Sequence, residues 1–322
     1  MAQGRELVKS TKSLALNRSV VMMGRSLVVL LMLCLWTRPG RAEPGAVQQI
    51  APGVYVWQGD RDKREPANCM WVIFKDYVVV VDANFPWAAK EILTKIKGTT
   101  DKPIRYVLNT HYHGDHAYGN SQFVDAGATI ITSEATDSEA RSKGVDGWTK
   151  WNNPEHSLKE SHQEFATITF LDELVIDDGT QRVEMIRLGP AHSKGDSVAY
   201  LPKQRIVATG DLCVTWGFGN NVGDANGSYN GWLSALNRMI GWEVATVVPG
   251  HGAVSGPDAL RTQRVYLAGM LTQVQAGRHE GKTADQLATE IDLRGFGFIA
   301  SDQPSNATSI RAMYHRLEMN GD

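Results

Sequence analysis

The chain has 322 residues, 42% of them hydrophobic and 21% charged, with 31 Gly and 12 Pro. Those proportions exclude disordered, collagenous and coiled-coil classes, and the length buries a core without disulfide staples. The formal charge of −2 is unevenly spread: residues 1–42 hold seven Lys/Arg and one acid, and the remainder holds 26 Lys/Arg against 34 Asp/Glu, a balance of −8. An acidic chain with no basic stripe is not a nucleic-acid clamp.

The cationic start has its own logic. Residues 27–36 form an apolar run, far short of the roughly 20 residues that cross a bilayer. Arg25 precedes it, and Gly40-Arg41-Ala42 places small residues at the −3 and −1 positions of a signal-peptidase site. Residues 1–42 therefore read as a secretory signal cut after Ala42, with an uncleaved anchor as the other reading. A start at Met22 or Met23 leaves a charged region of ordinary length. The expected mature chain, 43–322, is periplasmic or secreted and keeps no membrane span. It retains Cys69 and Cys213, too few for a disulfide framework; one bridge between them is the single pairing open.

From residue 50 onward short strands alternate with helices. Residues 54–58, 70–75 and 77–82 are β-branched and aromatic runs and read as strands. Residues 87–97 read as an amphipathic helix opened by Pro86 and closed by Gly98. Residues 104–109 form a strand that runs into a histidine cluster. Residues 117–126, 129–132 and 134–143 follow as helix, strand and helix. The second half places strands at 167–170, 174–176, 182–188, 197–201 and 206–209, with an Asp178-Gly179 turn. A helix over 231–240, a strand at 245–249 and long helices beyond Pro257 complete the order. Hairpins mixed with helices in both halves predict two packed sheets with helices outside, an α/β four-layer αββα sandwich with a C-terminal helical extension.

The strongest chemical signal is His111-Tyr112-His113-Gly114-Asp115-His116. It follows strand 104–109 directly, so its four polar groups share one turn. His111 and His113 alternate and can point one way, while Asp115 and His116 can serve an adjacent spot. One segment can thus feed two metal ions. Imidazole with carboxylate suits zinc, ahead of iron or manganese. Three further ligand types stand just past apolar strands, each flanked by Gly or Pro: His192 in Gly189-Pro190-Ala191-His192, Asp211 in Thr209-Gly210-Asp211, and His251 in Pro249-Gly250-His251-Gly252. His156, His162, His279 and His315 lack such a setting and read as surface residues.

That order of motifs resembles the metallo-β-lactamase superfamily over residues 50–275. The resemblance implies a site between the two sheets that takes two zinc ions per chain. His111, His113 and His192 would hold the first ion, Asp115, His116 and His251 the second, and Asp211 would bridge them. A bridging Asp is similar to glyoxalase II and the wider hydrolase branch. Zinc β-lactamases of one type carry Cys at that position and Lys three residues later, where this chain has Val214.

The implied activity is cleavage of an ester, thioester, lactone or lactam in a small molecule by metal-activated hydroxide, with Asp115 orienting the water. The alternatives are a β-lactamase proper and a mononuclear iron persulfide dioxygenase using His111, His192 and Asp211. Asp82, ending its strand, is the candidate acceptor for a ligand histidine N–H. Trp87, Trp148, Trp151, Trp216, Phe218 and Tyr229 lie on segments around these motifs and are candidates for an apolar substrate wall, with Lys194 as the nearest cation.

Overall fold

The computed structural model describes residues 43–64, 66–151, 158, 161–215, 222–224, 226–293, 296 and 303–320. Residues 1–42, Trp216, Phe218 and His156 lie outside the described residues. Seven strands form the first sheet in chain order: β1 (Val47–Ala51), β2 (Val54–Trp57), β3 (Cys69–Ile73), β4 (Val78–Val81), β5 (Ile104–Leu108), β6 (Thr129–Ser133) and β7 (Ile168–Phe170). Pairing is antiparallel from β1 to β4 and parallel from β4 to β7. The second sheet holds β8 (Glu173–Asp177), β9 (Arg182–Arg187), β10 (Ser197–Leu201), β11 (Ile206–Ala208) and β12 (Thr246–Val248), in the order β12-β11-β10-β9-β8.

The four valines of β4 show how the layers form. Val79 and Val81 enter the core between the sheets, where Val54, Val72 and Leu108 meet Val183, Met185, Ala199, Leu201 and Val248. Val78 and Val80 point the other way, under α1 (Pro86–Lys97) and α3 (Asn120–Asp125), with Ala88, Ile92, Ile96 and Phe123. A strand buried on both faces reads as an unbroken apolar run rather than an alternation. The outer face of the second sheet is covered by α5 (Tyr229–Ile240), α6 (Asp258–His279), α7 (Ala284–Glu290) and α8 (Gln303–Asn320), whose core includes Trp232, Tyr266, Leu287 and Ile310. Helices therefore flank both sheets, as the αββα expectation requires. Among the described residues no helix is long and apolar enough to cross a membrane.

Strand direction sets where chemistry gathers. β4, β5 and β6 run the same way. In the second sheet β9 and β11 are each antiparallel to β10, and β12 is parallel to β11, so these three also share a direction. The C-terminal ends of both parallel sets release the segments that carry every candidate ligand, the usual place for a site in such sheets.

Three expectations change. β1 precedes the first predicted strand; its Val-Gln-Gln-Ile-Ala sequence carries no clean alternation. The helix expected at 117–126 is two, α2 (Gly114–Ala117) and α3, interrupted where Gly119 donates to Asn84 O at 2.7 Å. A Cβ on Gly119 would strike Ala83 O, so the chain can approach there only without a side chain. The helix expected at 134–143 runs on as α4 (Glu134–Trp151) through Gly147, which faces the Tyr118 hydroxyl. Cys69 and Cys213 are separate buried free thiols in different core clusters, so no bridge forms.

Ile92→Ala removes a fully buried side chain from the α1 layer and is expected to cost about 2–5 kcal/mol in urea unfolding. Ile168→Ala, at a 40% exposed position, is expected to change stability by no more than about 0.5 kcal/mol.

Candidate metal centre

The predicted ligands converge in two groups, His111, His113, His192 and Asp211, and Asp115, His116 and His251, with the ligand atoms of each group within 4.8 Å of one another. His111 Nε2 and His192 Nε2 lie 3.0 and 3.1 Å from His113 Nδ1. His116 Nε2 and His251 Nε2 are 3.4 Å apart. Asp211 stands between the groups. Its Oδ1 is 3.2 Å from His116 Nε2 and 3.0 Å from His251 Nε2, while its Oδ2 is 3.6 Å from His192 Nε2. A Cβ on Gly250 would collide with Asp211 Oδ1, so Pro249-Gly250-His251 can pass this close only with glycine there.

The outer ring nitrogens decide what the inner ones are. His251 Nδ1 is 2.8 Å from Pro66 O, which can only accept, so Nδ1 carries the proton. His116 Nδ1 donates to Asp82 Oδ2 at 2.8 Å. Thr110 Oγ1 gives its one proton to Asp82 Oδ2 at 2.9 Å and so accepts from His111 Nδ1 at 3.1 Å. His113 is turned the other way: its Nε2 faces Asp224 Oδ2 at 3.3 Å, leaving Nδ1 inward. His192 Nδ1 is buried with no hydrogen-bond partner; its ring is set edge-on to Trp232 at 5.2 Å.

Four imidazoles thus present lone pairs, together with the carboxylates of Asp115 and Asp211, to one enclosed space. Ring nitrogens and carboxylate oxygens packed at about 3 Å repel unless a proton or a metal cation joins them. The donor set fits two divalent ions, with Asp211 offering one oxygen to each group.

The carboxylates and burial act differently on the two groups. Burial works against a charged His116, yet Asp82, Asp115 and Asp211 outweigh it and raise its pKa well above the ordinary value. His251 is raised in the same way against burial, chiefly by Asp211. At the first group burial wins: His111 is held well below the usual range, and His192 is pushed down to about 3.

The family model described as "Metallo-beta-lactamase superfamily" matches residues 62–251, more than half of the chain. The chain belongs to the metallo-β-lactamase superfamily. A metallo-β-lactamase type 2 from Bacillus sp. (strain 170) is 25% identical over 199 residues, covering 61% of this chain and 70% of that protein. A linear primary-alkylsulfatase from a Pseudomonas species is 23% identical over 244 residues, covering 64% of this chain but 46% of that protein. Among solved structures, a metallo-β-lactamase from Pontibacter korlensis superposes with a TM-score of 0.57 at 23% identity, covering 69% of this chain and 98% of that one. A sec-alkylsulfatase from Pseudomonas sp. reaches 0.67 at 16% identity, covering 86% of this chain and 50% of that one. The chain thus spans about half the length of the alkylsulfatases it matches. It is a superfamily hydrolase with two candidate metal-binding groups.

The superfamily fold brings all seven predicted ligands together, and Asp82 stands where the sequence places an N–H acceptor. Asp82 itself sits at φ 61°, a conformation that Asp tolerates better than most residues and that is often stored at functional sites. The aromatic candidates fare differently. Trp87 is half-buried, donates to Arg64 O at 3.2 Å and stacks on Phe85. Trp148 packs edge-on to Tyr118 at 4.9 Å. Trp151 ends α4, and Lys194 is exposed. Tyr229 is not a pocket residue: it is fully buried in the α5 layer, with its hydroxyl donating to Val222 O at 2.5 Å. His162, His279 and His315 are exposed, as expected of surface residues.

Two acids escaped the sequence reading. Asp196 closes the His192 loop by accepting Ser193 N at 2.6 Å and Ser193 Oγ at 2.8 Å, while burial pushes its pKa up to about 7. Asp224 accepts from His113, Tyr112, Lys143 and Asn226 N–H. Burial alone would raise its pKa; those bonds hold it well below the usual carboxylate range.

Asp211→Ala removes an oxygen from both groups and is expected to lower metal content and turnover together, read by elemental analysis beside initial rates. Asp82→Asn, which disturbs His116 and Thr110 at once, is expected to weaken metal affinity by about 10–100-fold in chelator competition.

Proposed function

We propose that the chain is an exported dinuclear zinc hydrolase that cleaves an ester, thioester, lactone or lactam bond in a small molecule. The observation that carries this reading is Asp211, one carboxylate with an oxygen turned to each ligand group. Two bound zinc ions supply Lewis acidity and a water of lowered pKa at neutral pH. The chain's own residues supply the rest. Five of the seven ligand side chains are nearly or wholly buried, whereas His113 and Asp115 are 18% and 22% exposed, so the centre opens at those two. A substrate enters on that side. Asp115 is the carboxylate placed to orient the attacking water and take its proton. Trp148 packs edge-on to Tyr118, three residues beyond Asp115, and is the described tryptophan that best suits an apolar wall for the substrate. The export reading rests on the charge and apolar pattern of residues 1–42.

The iron dioxygenase alternative uses His111, His192 and Asp211 and leaves the second group of Asp115, His116 and His251 without a role, although its ligand atoms also gather within 4.8 Å of one another. The β-lactamase reading is favoured by the similarity to the Bacillus type 2 enzyme, and a sulfate-ester reading by the similarity to the alkylsulfatases. Cys213 lies in the hydrophobic cluster under α5 and belongs to neither ligand group.

Purified protein is expected to contain two zinc ions per chain and to hydrolyse at least one member of a panel of aryl esters, thioesters, lactones and β-lactams. Sulfate esters in the same panel test the alkylsulfatase likeness. A single iron with oxygen consumption would sink the hydrolase reading. Asp115→Asn is expected to lower kcat by about 10²–10⁴-fold, the usual contribution of a positioned acid–base group.

A further inference from the structure

Superfamily membership explains the seven ligands but not why His113 presents Nδ1 while the other four ligand histidines, His111, His116, His192 and His251, present Nε2. We propose that Asp224, braced by the C-terminal helix α8 through Arg316, is the positioning residue that turns His113 Nδ1 toward the first ion; the inference rests on the two-ion reading above. The Asp224 side chain is 3% exposed, and an ionised carboxylate can only accept. Its Oδ2 takes the Tyr112 hydroxyl at 2.5 Å and faces His113 Nε2 at 3.3 Å. Its Oδ1 takes Lys143 Nζ and the Asn226 N–H, both at 2.9 Å. With the opposite tautomer, a His113 lone pair would face this carboxylate and an N–H would point between His111 Nε2 and His192 Nε2. Asp224 therefore selects the ligating nitrogen by acceptance alone.

The segment bearing Asp224 is itself tied to the first group. Ser228 N donates to Ala191 O at 2.7 Å. A Cβ on Gly227 would collide with the carbonyl oxygens of Ala191 and His192, so the segment lies directly on the His192 loop. From the outer side Arg316 of α8, only 3% exposed, donates Nη2 to Gly227 O and sets its guanidinium 4.5 Å over the Tyr229 ring. Its Nε has no partner. A buried cation held by one carbonyl and one ring is a costly way to fill space, and its contact falls on the segment that orients His113. α8 lies beyond residue 251, where the superfamily match ends. The C-terminal extension thus acquires a role at the metal centre.

The test uses the full chain under chelator competition with zinc and cobalt. Two backgrounds separate the groups: His251→Ala keeps the first, and His192→Ala keeps the second. Asp224→Ala is expected to weaken the remaining ion by about 10–100-fold in the His251→Ala background and to leave it unchanged in the His192→Ala background. Asp224→Asn retains an accepting oxygen and packing volume, so it is expected to show a smaller loss confined to the first group. Arg316→Met is expected to weaken the first group alone. Equal losses in both backgrounds, or none with either Asp224 variant, would overturn the assignment; Arg316→Met without effect on the first group would overturn the brace. The wild-type stoichiometry reads the two-ion proposal separately, because each background reports one group whatever the other binds.

Discussion

The centre is organised by a single constraint: lone pairs aimed at one another in a space that water barely reaches. Asp82, Thr110, Pro66 and Asp224 each take the outer N–H of a histidine, and each thereby turns the other ring nitrogen inward as the one able to ligate. Such a surface is stable only against positive charge. The folded chain therefore offers two candidate cation-binding groups, and on the reading proposed above its hydrolytic chemistry would follow from what bound cations do to water.

The two sheets exist, in functional terms, to bring four strand ends together. β5 delivers His111 to His116, the end of β9 leads to His192, β11 to Asp211 and β12 to His251. Because these segments join two different sheets, the core between the sheets is what fixes the distances across the centre. Close approach at the seam needs glycine at Gly250, and the strained φ of Asp82 needs a residue tolerant of the left-handed region. Packing and chemistry are the same problem here.

The parts legible in the sequence were the parts with local causes. The histidine cluster could be read because its ligands are contiguous, and His192, Asp211 and His251 because each follows an apolar strand at a Gly- or Pro-marked turn. The layered fold could be read because β4 is buried on both faces and says so with four valines. Asp224 could not be read: its partner His113 is 111 residues away, and its own surroundings show only an ordinary turn. Tyr229 misled for the same reason in reverse. A loop aromatic near a ligand motif suggested a pocket, but the ring belongs to the first turn of a helix whose buried face begins there. Helix ends at Tyr118–Gly119 and beyond Gly147 depended on contacts with Ala83, Asn84 and Tyr118 that no local pattern reveals.

The measurement closest to the central claim is a diffraction structure of the zinc-loaded chain, with anomalous data collected at the zinc edge. Two anomalous peaks are predicted, one touching His111 Nε2, His113 Nδ1 and His192 Nε2, the other Asp115, His116 and His251, with an Asp211 oxygen on each. One peak alone, or an Asp211 carboxylate turned away from either ion, would contradict the account.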